Sequence, residues 1–299
     1  MGIKKTELVF QSRQEGTPLE FSPGETMSGA VVLTIDGSKP HKLTSVVVKV
    51  RGRAETDWKT GSGDDESRHR DTEELLRLDL TVLGNVGGGQ PTALPPGRHQ
   101  FPFQLSLPPR LAYSLKHMDG KIRYECSARA RSDSFWSFDG RACVPFEVLA
   151  RRDLSAEPQL ARPLTVSREA RFSLLGRDPG PFRLYLTRQG FTAGEVIDIS
   201  LEGPGEAFQA LAKADGTVQL KTRVVFRAGV STRQKKWVAA AVRPGSSPDA
   251  WRHIRLTVPA GEVTLDDSSG CTIISVTHYV KVRDVHLPVV LGTTPLRPS

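Results

Sequence analysis

Histidine is the side chain best suited to acid–base chemistry and metal binding near neutral pH, and this sequence contains seven. None of them has the HxH or HExxH spacing that metal sites favour. The sequence lacks a GxSxG nucleophile turn and a Walker-A loop, and Gly87-Gly88-Gly89 is not followed by the Lys-Ser/Thr of a phosphate-binding loop. The acidic run Asp64-Asp65-Glu66 is interpreted either as a cation site or as a solvated loop. We therefore predict no enzymatic activity, no cofactor and no metal site.

Basic residues offer a different chemistry, which is the binding of anionic partners. In a strand, alternation places Arg233 and Lys235 on one face and Lys236 on the other. Arg233 and Lys235 are predicted to face an anionic ligand, and each would contribute about 1 kcal/mol near an anionic membrane. Lys4 and Lys5 are interpreted, from the sequence alone, as exposed lysines that protect an edge strand from unwanted pairing.

Two further segments have possible contact roles. Trp136 lies among aromatic residues in Phe135–Phe138, a predicted hairpin tip, and is predicted to contact a membrane or a partner. The N-terminal run Met1–Thr6 fits the MGxxx[ST] pattern for myristoylation of Gly2. The alternative for this run is that it simply begins the first strand.

The distribution of charge limits the class of partner, and the use of cysteine limits the cellular compartment. Residues 1–150 carry 20 Lys and Arg against 19 Asp and Glu, whereas residues 151–299 carry 21 against 14, within a total net charge of +8. The basic half fits anionic lipid headgroups, phosphorylated tails or nucleic acid, or else is a solvated surface without a specific partner. Three cysteines without a CxxC pair, no apolar leader and no membrane-length apolar stretch predict the reducing cytosol.

The elements that must position these residues are strands. Apolar and polar residues alternate with period two in segments such as Val46–Arg51, Phe101–Leu107 and Ile273–Thr277, which predicts antiparallel sheets with one buried face. The segment Asp64–Leu80 has some helical character, but its Leu78-Leu80-Val82 alternation favours a strand.

The chain also contains the same order of sequence motifs twice. Phe21-Ser-Pro-Gly-Glu25 and Phe191-Thr-Ala-Gly-Glu195 each precede an alternating strand, and the later elements follow in the same order. We predict an all-β fold of two tandem immunoglobulin-like antiparallel β-sandwiches. The predicted domains are residues 1–150 and 170–299, and the polar, proline-containing residues 151–169 form a predicted linker.

These motifs carry a family resemblance over nearly the whole chain. Segments that resemble the N-domain of the α-arrestin family, in the order of that family, are Phe21–Glu25, Val46–Trp58, Leu94–Pro108 and Gly120–Tyr124. Segments that resemble its C-domain are Gly190–Glu195, Cys271–Val276 and Leu287–Thr293. The ordered set is specific, although no single motif is decisive.

The resemblance implies an arrestin fold and a non-catalytic adaptor. Such an adaptor binds cytoplasmic parts of receptors and transporters and directs them into endocytosis, sorting or ubiquitin-dependent trafficking. It would be cytoplasmic and peripheral to the plasma membrane or endosomes, with an anionic membrane surface as a further partner and no nucleic acid. In the receptor-binding arrestins the strand that corresponds to Lys4 and Lys5 presents lysines to phosphorylated tails, so the resemblance implies that these two residues contact a partner. The alternative is a constitutive structural subunit of an endosomal sorting coat, like the arrestin-like subunit of retromer.

The sequence departs from the family pattern at two places. Most α-arrestins recruit ubiquitin ligases through a PPxY motif, but neither Pro95-Pro96 nor Pro108-Pro109 continues as PPxY. Ubiquitin ligase machinery therefore stays a predicted partner, although the sequence contains no motif that would bind it. Phosphate-sensing arrestins place two carboxylates in the loop that corresponds to residues 279–287. Only Asp284 is present here, so that ionic switch is not expected.

Overall fold

A computed structural model describes residues 2–11, 17–85, 90–133, 139–169, 181–213 and 216–297, without the side chains of Asp64 and Lys213. Strands dominate these residues, and the predicted all-β fold is confirmed. The chain divides into two compact units. The first unit comprises Met1–Ala150, Arg227–Ser231 and Asp267–Ile273, and the second comprises Arg151–Phe226, Thr232–Asp266 and Ile274–Ser299.

The first unit consists of two sheets. Its strands are β1 (Ile3–Phe10), β2 (Glu20–Phe21), β3 (Thr26–Ile35), β4 (His41–Thr60), β5 (Ser67–Gly84), β6 (Thr92–Leu94), β7 (Gly97–Ser106), β8 (Leu115–His117), β9 (Gly120–Ser132) and β10 (Gly140–Val148). One sheet has the order β1-β3-β7, and the other has the order β2-β10-β9-β4-β5 with β6 beside β4 and β8 beside β9. A 3-10 turn, Gly63–Asp65, separates β4 from β5.

Aromatic rings fill the interior between these two sheets. Phe10 contacts Phe21 and Phe103 edge-on, with ring centroids 6.4 and 6.0 Å apart. Phe21 contacts Phe146 at 5.5 Å, and Phe146 contacts Tyr124 at 5.7 Å. Because all five rings are buried, they supply much of the apolar area that stabilises the unit.

The second unit has the same two-sheet construction. Its strands are β11 (Leu164–Arg168), β12 (Phe182–Leu186), β13 (Gly190–Thr192), β14 (Val196–Glu202), β15 (Val218–Ala228), β16 (Ser231–Val242), β17 (His253–Thr257), β18 (Ile274–Val282) and β19 (Val285–Gly292). One sheet has the order β11-β12-β14-β17, and the other has the order β13-β19-β18-β15-β16. The helix α1 (Gly205–Lys213) buries Phe208 and Leu211 in the same core as Trp251.

The duplication expected from the motifs is present in the sheet topology. The order β2-β10-β9-β4-β5 of the first unit corresponds strand for strand to β13-β19-β18-β15-β16 of the second. In both sheets the short first strand pairs in parallel with its neighbour. The pairings of β10 with β9, β9 with β4, β19 with β18 and β18 with β15 are antiparallel. Shared topology of this kind places equivalent strands of the two units in equivalent positions.

The two Gly-Glu turns explain how the duplicated motif folds. Gly24 and Gly194 adopt φ of 81° and 82°, a conformation that favours glycine. The Glu25 carboxylate accepts a 2.7 Å hydrogen bond from the backbone N–H of Ser22. The Glu195 carboxylate accepts the equivalent bond from Thr192 at 2.6 Å. Each glutamate therefore closes its own turn, and the sequence motif encodes this structure locally.

Two regions refine the expectations from sequence. Ser67–Gly84 is strand β5, so the strand interpretation of Asp64–Leu80 is confirmed. Residues 151–169, predicted as a linker, contain the 3-10 turns Leu154–Ala156 and Pro158–Ala161 and strand β11. Leu154 is buried against Gly292 of β19, which holds the start of this segment on the second unit.

Candidate functional site

The sheet β13-β19-β18-β15-β16 of the second unit has an unusual charge composition. Its five strands, all in the described part of the chain, contain no Asp or Glu but contain seven Lys or Arg residues: Lys221, Arg223, Arg227, Arg233, Lys235, Lys236 and Lys281. The opposite sheet, β11-β12-β14-β17, mixes Asp198 and Glu202 with its arginines. The five-stranded sheet is therefore the part of this unit best suited to hold an anion.

Because side chains alternate along a pleated strand, only some of these charged residues lie on the same face of the sheet. Leu220 on β15, Val280 on β18 and Leu287 on β19 belong to the buried core, so their sequence neighbours point to the opposite, outer side. Register pairs Lys221 with Tyr279, Arg223 with Thr277, and Lys281 with His286 on that outer side. We define the basic face by its five members, which are Lys221, Arg223, Lys236, Lys281 and His286.

The pKa of His286 reflects the positive charge of the basic face. Its ring lies 4.6 Å from the ring of Tyr279. Partial burial lowers the pKa of His286 below its ordinary value, and the positive charges of Lys281, Lys236 and Arg223 lower it further, while Asp284 opposes them. The Asp284 carboxylate accepts a 2.8 Å hydrogen bond from Arg168. The cations consequently prevail around His286, as an anion-binding surface requires.

Arg233 and Lys235, the predicted contacts, lie on the opposite face of edge strand β16 from Lys236. The indole of Trp237 donates to Glu262, which also contacts the core-side residue Thr222, so Trp237 lies on the inner side of the strand. Alternation puts Arg233 and Lys235, both half-buried, on the side of Trp237. Lys236 is exposed and lies on the outer side, where its charge acts on His286.

Lys4 and Lys5 lie in β1, an edge strand of the first unit. Both are exposed, and each has a carboxylate within ion-pair distance: Lys4 is 3.9 Å from Asp36, and Lys5 is 2.8 Å from Glu7. Exposed pairs of this kind contribute little to stability and leave the lysines accessible. Trp136 falls outside the described residues, so its prediction stays untested.

The large sheet of the first unit also has a charged outer face, but its charges are paired. Glu55 accepts hydrogen bonds or ion pairs from Lys121 and Arg123, and Asp57 does so from Arg68 and Arg70. The hydrogen bond from Arg68 is the first cause that holds the pKa of Asp57 well below its usual range. A cleft of about 560 Å³ is lined by Glu55 and Asp57 together with Lys121 and Arg70. Its cations are already matched by carboxylates, unlike those of the basic face.

A buried polar cluster in the second unit places a hydroxyl, an imidazole and a carboxylate in a row, as in a catalytic triad. Thr264 Oγ1 lies 3.0 Å from His278 Nδ1, and His278 Nε2 lies 3.0 Å from a carboxylate oxygen of Glu262. Thr264 and His278 are only 5% and 2% exposed, and the Thr264 hydroxyl oxygen already accepts the backbone N–H of Leu291. A substrate cannot reach a nucleophile placed there, so the cluster is structural.

The described residues contain neither a metal-binding cluster nor a helix that could span a membrane. No group of three His, Cys, Asp or Glu side chains among them is arranged to hold a metal ion. None of the helices in the described segments combines the length and the apolar composition of a membrane span.

Sequence reasoning found the basic character of β16 but missed Lys221, Arg223, Lys281 and His286. These residues are far apart in the chain, and only strand pairing brings them together. A usable signal existed in the sequence, because the segments that form the five strands contain no carboxylate.

Known proteins resemble this chain over most of its length. Residues 13–155 match the family described as Arrestin (or S-antigen), N-terminal domain. The chain is 26% identical to arrestin domain-containing protein 17 of Caenorhabditis elegans, over 98% of this chain and 71% of that protein. It is 27% identical to arrestin domain-containing protein 4 of Mus musculus and 26% identical to the Homo sapiens protein of that name, in each case over 98% of this chain and 72% of the relative. The family resemblance inferred from the ordered motifs is confirmed.

Proposed function

Because this chain resembles arrestin domain-containing proteins over most of its length, we propose that it is a non-catalytic adaptor for membrane proteins. It binds cytoplasmic segments of receptors or transporters and directs them to endocytosis, sorting or ubiquitin-dependent trafficking. It works in the cytoplasm, at the surface of the plasma membrane or of endosomes. The observation that carries the proposal is the basic face, where cations from the three strands β15, β16 and β18 converge without a carboxylate in any strand of the sheet.

The proposed ligand is an acidic, extended segment of a cytoplasmic tail. Lys221, Arg223 and Lys281 lie on the inner strands β15 and β18 and are half-buried. A narrow peptide can follow these strands and place its carboxylates or phosphates beside the recessed cations. A flat bilayer would meet the exposed Lys236 and His286 first and would reach the half-buried charges poorly. The recessed position therefore favours a peptide over a membrane surface.

A charge-reversal experiment tests this surface. The fluorescence anisotropy of an Asp- and Glu-rich tail peptide is measured with wild-type protein and with the double variant Lys221→Glu/Lys281→Glu. Since two favourable contacts become repulsive, we expect binding to weaken at least about tenfold. Raising the salt concentration should weaken wild-type binding as well.

The matched control is Arg183→Glu/Arg255→Glu, which makes the same charge change on exposed positions of the opposite sheet. This control should bind the peptide nearly as tightly as wild type. Equal losses in the two double variants would show that net charge alone governs binding and would refute the surface. Binding to phosphatidylserine vesicles without binding to the peptide would make the membrane the ligand and overturn the peptide assignment.

A further inference from the structure

His286 gives the basic face a titratable member in addition to its permanent cations. We propose that the basic face binds its acidic peptide together with a proton taken up by His286, so that binding tightens as the pH falls. This inference rests on the proposed function of the same face. It adds that the adaptor holds acidic segments more firmly in a mildly acidic environment than at neutral pH.

Charged groups from β15, β16, β18 and the β18–β19 turn act on His286. Lys281 on β18 pairs with it in the register, and the Tyr279 ring on the same strand lies tilted against the imidazole, with the ring centroids 4.6 Å apart. Lys236 on β16 and Arg223 on β15 contribute positive charge on the same outer face, from the strands beyond β18. Asp284, in the β18–β19 turn, opposes them.

The free protein holds the imidazole neutral at pH 7. Partial burial and the three nearby cations keep the pKa of His286 below its ordinary value of 6.5. An acidic peptide on this face would place carboxylates among those cations and favour the imidazolium form. Since linkage is reciprocal, a ligand that raises the pKa of His286 must itself bind more tightly when His286 is protonated.

The other histidines of the second unit do not meet these conditions. His278 lies on the core side of the same sheet and is 2% exposed. His253 is exposed, but it belongs to β17 in the opposite sheet, beside Ser200. Lysine and arginine stay charged throughout the mildly acidic range. The proton is therefore assigned to His286.

The test uses a peptide rich in Asp and Glu, whose carboxylates stay ionised between pH 5.5 and 7.5. A phosphopeptide would titrate in the same range and obscure the result. For wild-type protein we expect a rise in affinity of about threefold to tenfold between pH 7.5 and 5.5, because one coupled proton accounts for at most tenfold per unit of pKa change. NMR of the imidazole should show a higher pKa of His286 when the peptide is bound.

His286→Gln keeps a polar side chain that does not titrate, so its affinity for the peptide should stay the same between pH 7.5 and pH 5.5. His253→Gln is the matched control and should retain the full gain. The inference is overturned if His286→Gln keeps the pH dependence, or if the imidazole titrates identically with and without peptide. Absence of peptide binding at both pH values would instead refute the proposed function, whereas binding that is charge-dependent but pH-independent refutes only the proton coupling.

Discussion

The indole nitrogen of Trp237 donates a hydrogen bond of 3.2 Å to the carboxylate of Glu262. The same carboxylate accepts a 2.8 Å hydrogen bond from Thr222 and lies 3.0 Å from His278 Nε2. Trp237 belongs to edge strand β16, whereas Thr222 and His278 belong to β15 and β18. Glu262 therefore ties the edge strand, which carries Lys236 of the basic face, to the inner strands of the sheet.

Replacing Glu262 with Gln should destabilise the protein. The amide group that replaces one oxygen can only donate, and it would face groups that also donate to this side chain. We expect the free energy of unfolding to fall by about 1–3 kcal/mol, measured by urea denaturation followed through tryptophan fluorescence. Glu202→Gln, at an exposed position of β14, should change it little. Equal effects of the two substitutions would contradict the proposed role of Glu262.

Glu262 should also contribute to unfolding in acid. Burial raises its pKa, but hydrogen bonds from His278, Thr222 and Trp237 outweigh burial and bring the pKa below its ordinary value of 4.5. A carboxyl group with a lower pKa in the folded state stabilises the protein above the unfolded-state value, and this contribution is lost as the pH falls through the folded-state pKa. Stability measured between pH 6 and pH 3 should decline less steeply in Glu262→Gln than in wild type. Parallel pH profiles would rule out this contribution.

Local sequence signals predicted the sheets well because a strand and its turn are encoded by adjacent residues. Period-two alternation identified segments such as Val46–Arg51, which lies within β4. The two Phe-x-x-Gly-Glu turns fold alike because each glutamate bonds a backbone N–H three residues before it. These interactions need no information from distant parts of the chain.

Helix α1 was missed because its stability comes from tertiary packing. It has nine residues, too few to form a stable helix alone, and it follows Gly203-Pro204, which reads as a turn. Phe208 and Leu211 stabilise it by packing in the core with Trp251. The basic face was missed for a related reason, because Lys221 and His286 become neighbours on one surface only after β15, β18 and β19 pair.

A guanidinium clamp holds the segment after residue 150 on the second unit. Arg152 donates two 3.0 Å hydrogen bonds to Glu157 and one of 2.7 Å to Asp266, and its side chain is only 10% exposed. Arg152→Ala would leave two carboxylates close together without their cation. Since both carboxylates are partly solvated, we expect a loss of about 2 kcal/mol in the free energy of unfolding, measured by urea denaturation.

The neighbouring Arg151 provides the control for this clamp, because its side chain is exposed. Arg151→Ala should leave stability nearly unchanged. Limited proteolysis should cleave within residues 151–163 faster in Arg152→Ala than in either wild type or Arg151→Ala. Unchanged cleavage would mean that the clamp does not hold this segment.

Gly52 leaves room for a tyrosine ring. A Cβ atom at this position would lie 2.3 Å from Cε1 of Tyr124, whose hydroxyl donates a 2.6 Å hydrogen bond to the Ala112 carbonyl and fixes the ring. Gly52→Ala should therefore destabilise the first unit by about 1–3 kcal/mol. Gly205→Ala, at the start of α1 with nothing within 4 Å of the added carbon, should be neutral or slightly stabilising. Thermal unfolding of both variants decides this, and similar melting temperatures would refute the steric explanation.

Cysteine reactivity should reflect both burial and one neighbouring carboxylate. Cys143 is exposed, whereas Cys126 and Cys271 are buried. The Cys143 thiol lies 3.7 Å from Glu125, and its pKa is raised first by partial burial and then by the charge and hydrogen bond of Glu125. Because the thiolate is the reactive form, Cys143 should label first in the folded protein, although slowly at pH 8.

Substituting Glu125 separates its charge from the effect of burial. Glu125→Gln removes the negative charge and should increase the labelling rate of Cys143 at pH 8 severalfold, as measured with a thiol-specific chromogenic reagent. Glu147→Gln, an exposed position on the same strand as Cys143, serves as the control and should leave the rate unchanged. Burial raises the pKa of Cys126 to about 12, so its thiol should react only after unfolding in guanidinium. Equal labelling rates for the Glu125 and Glu147 variants would show that burial alone sets the reactivity of Cys143.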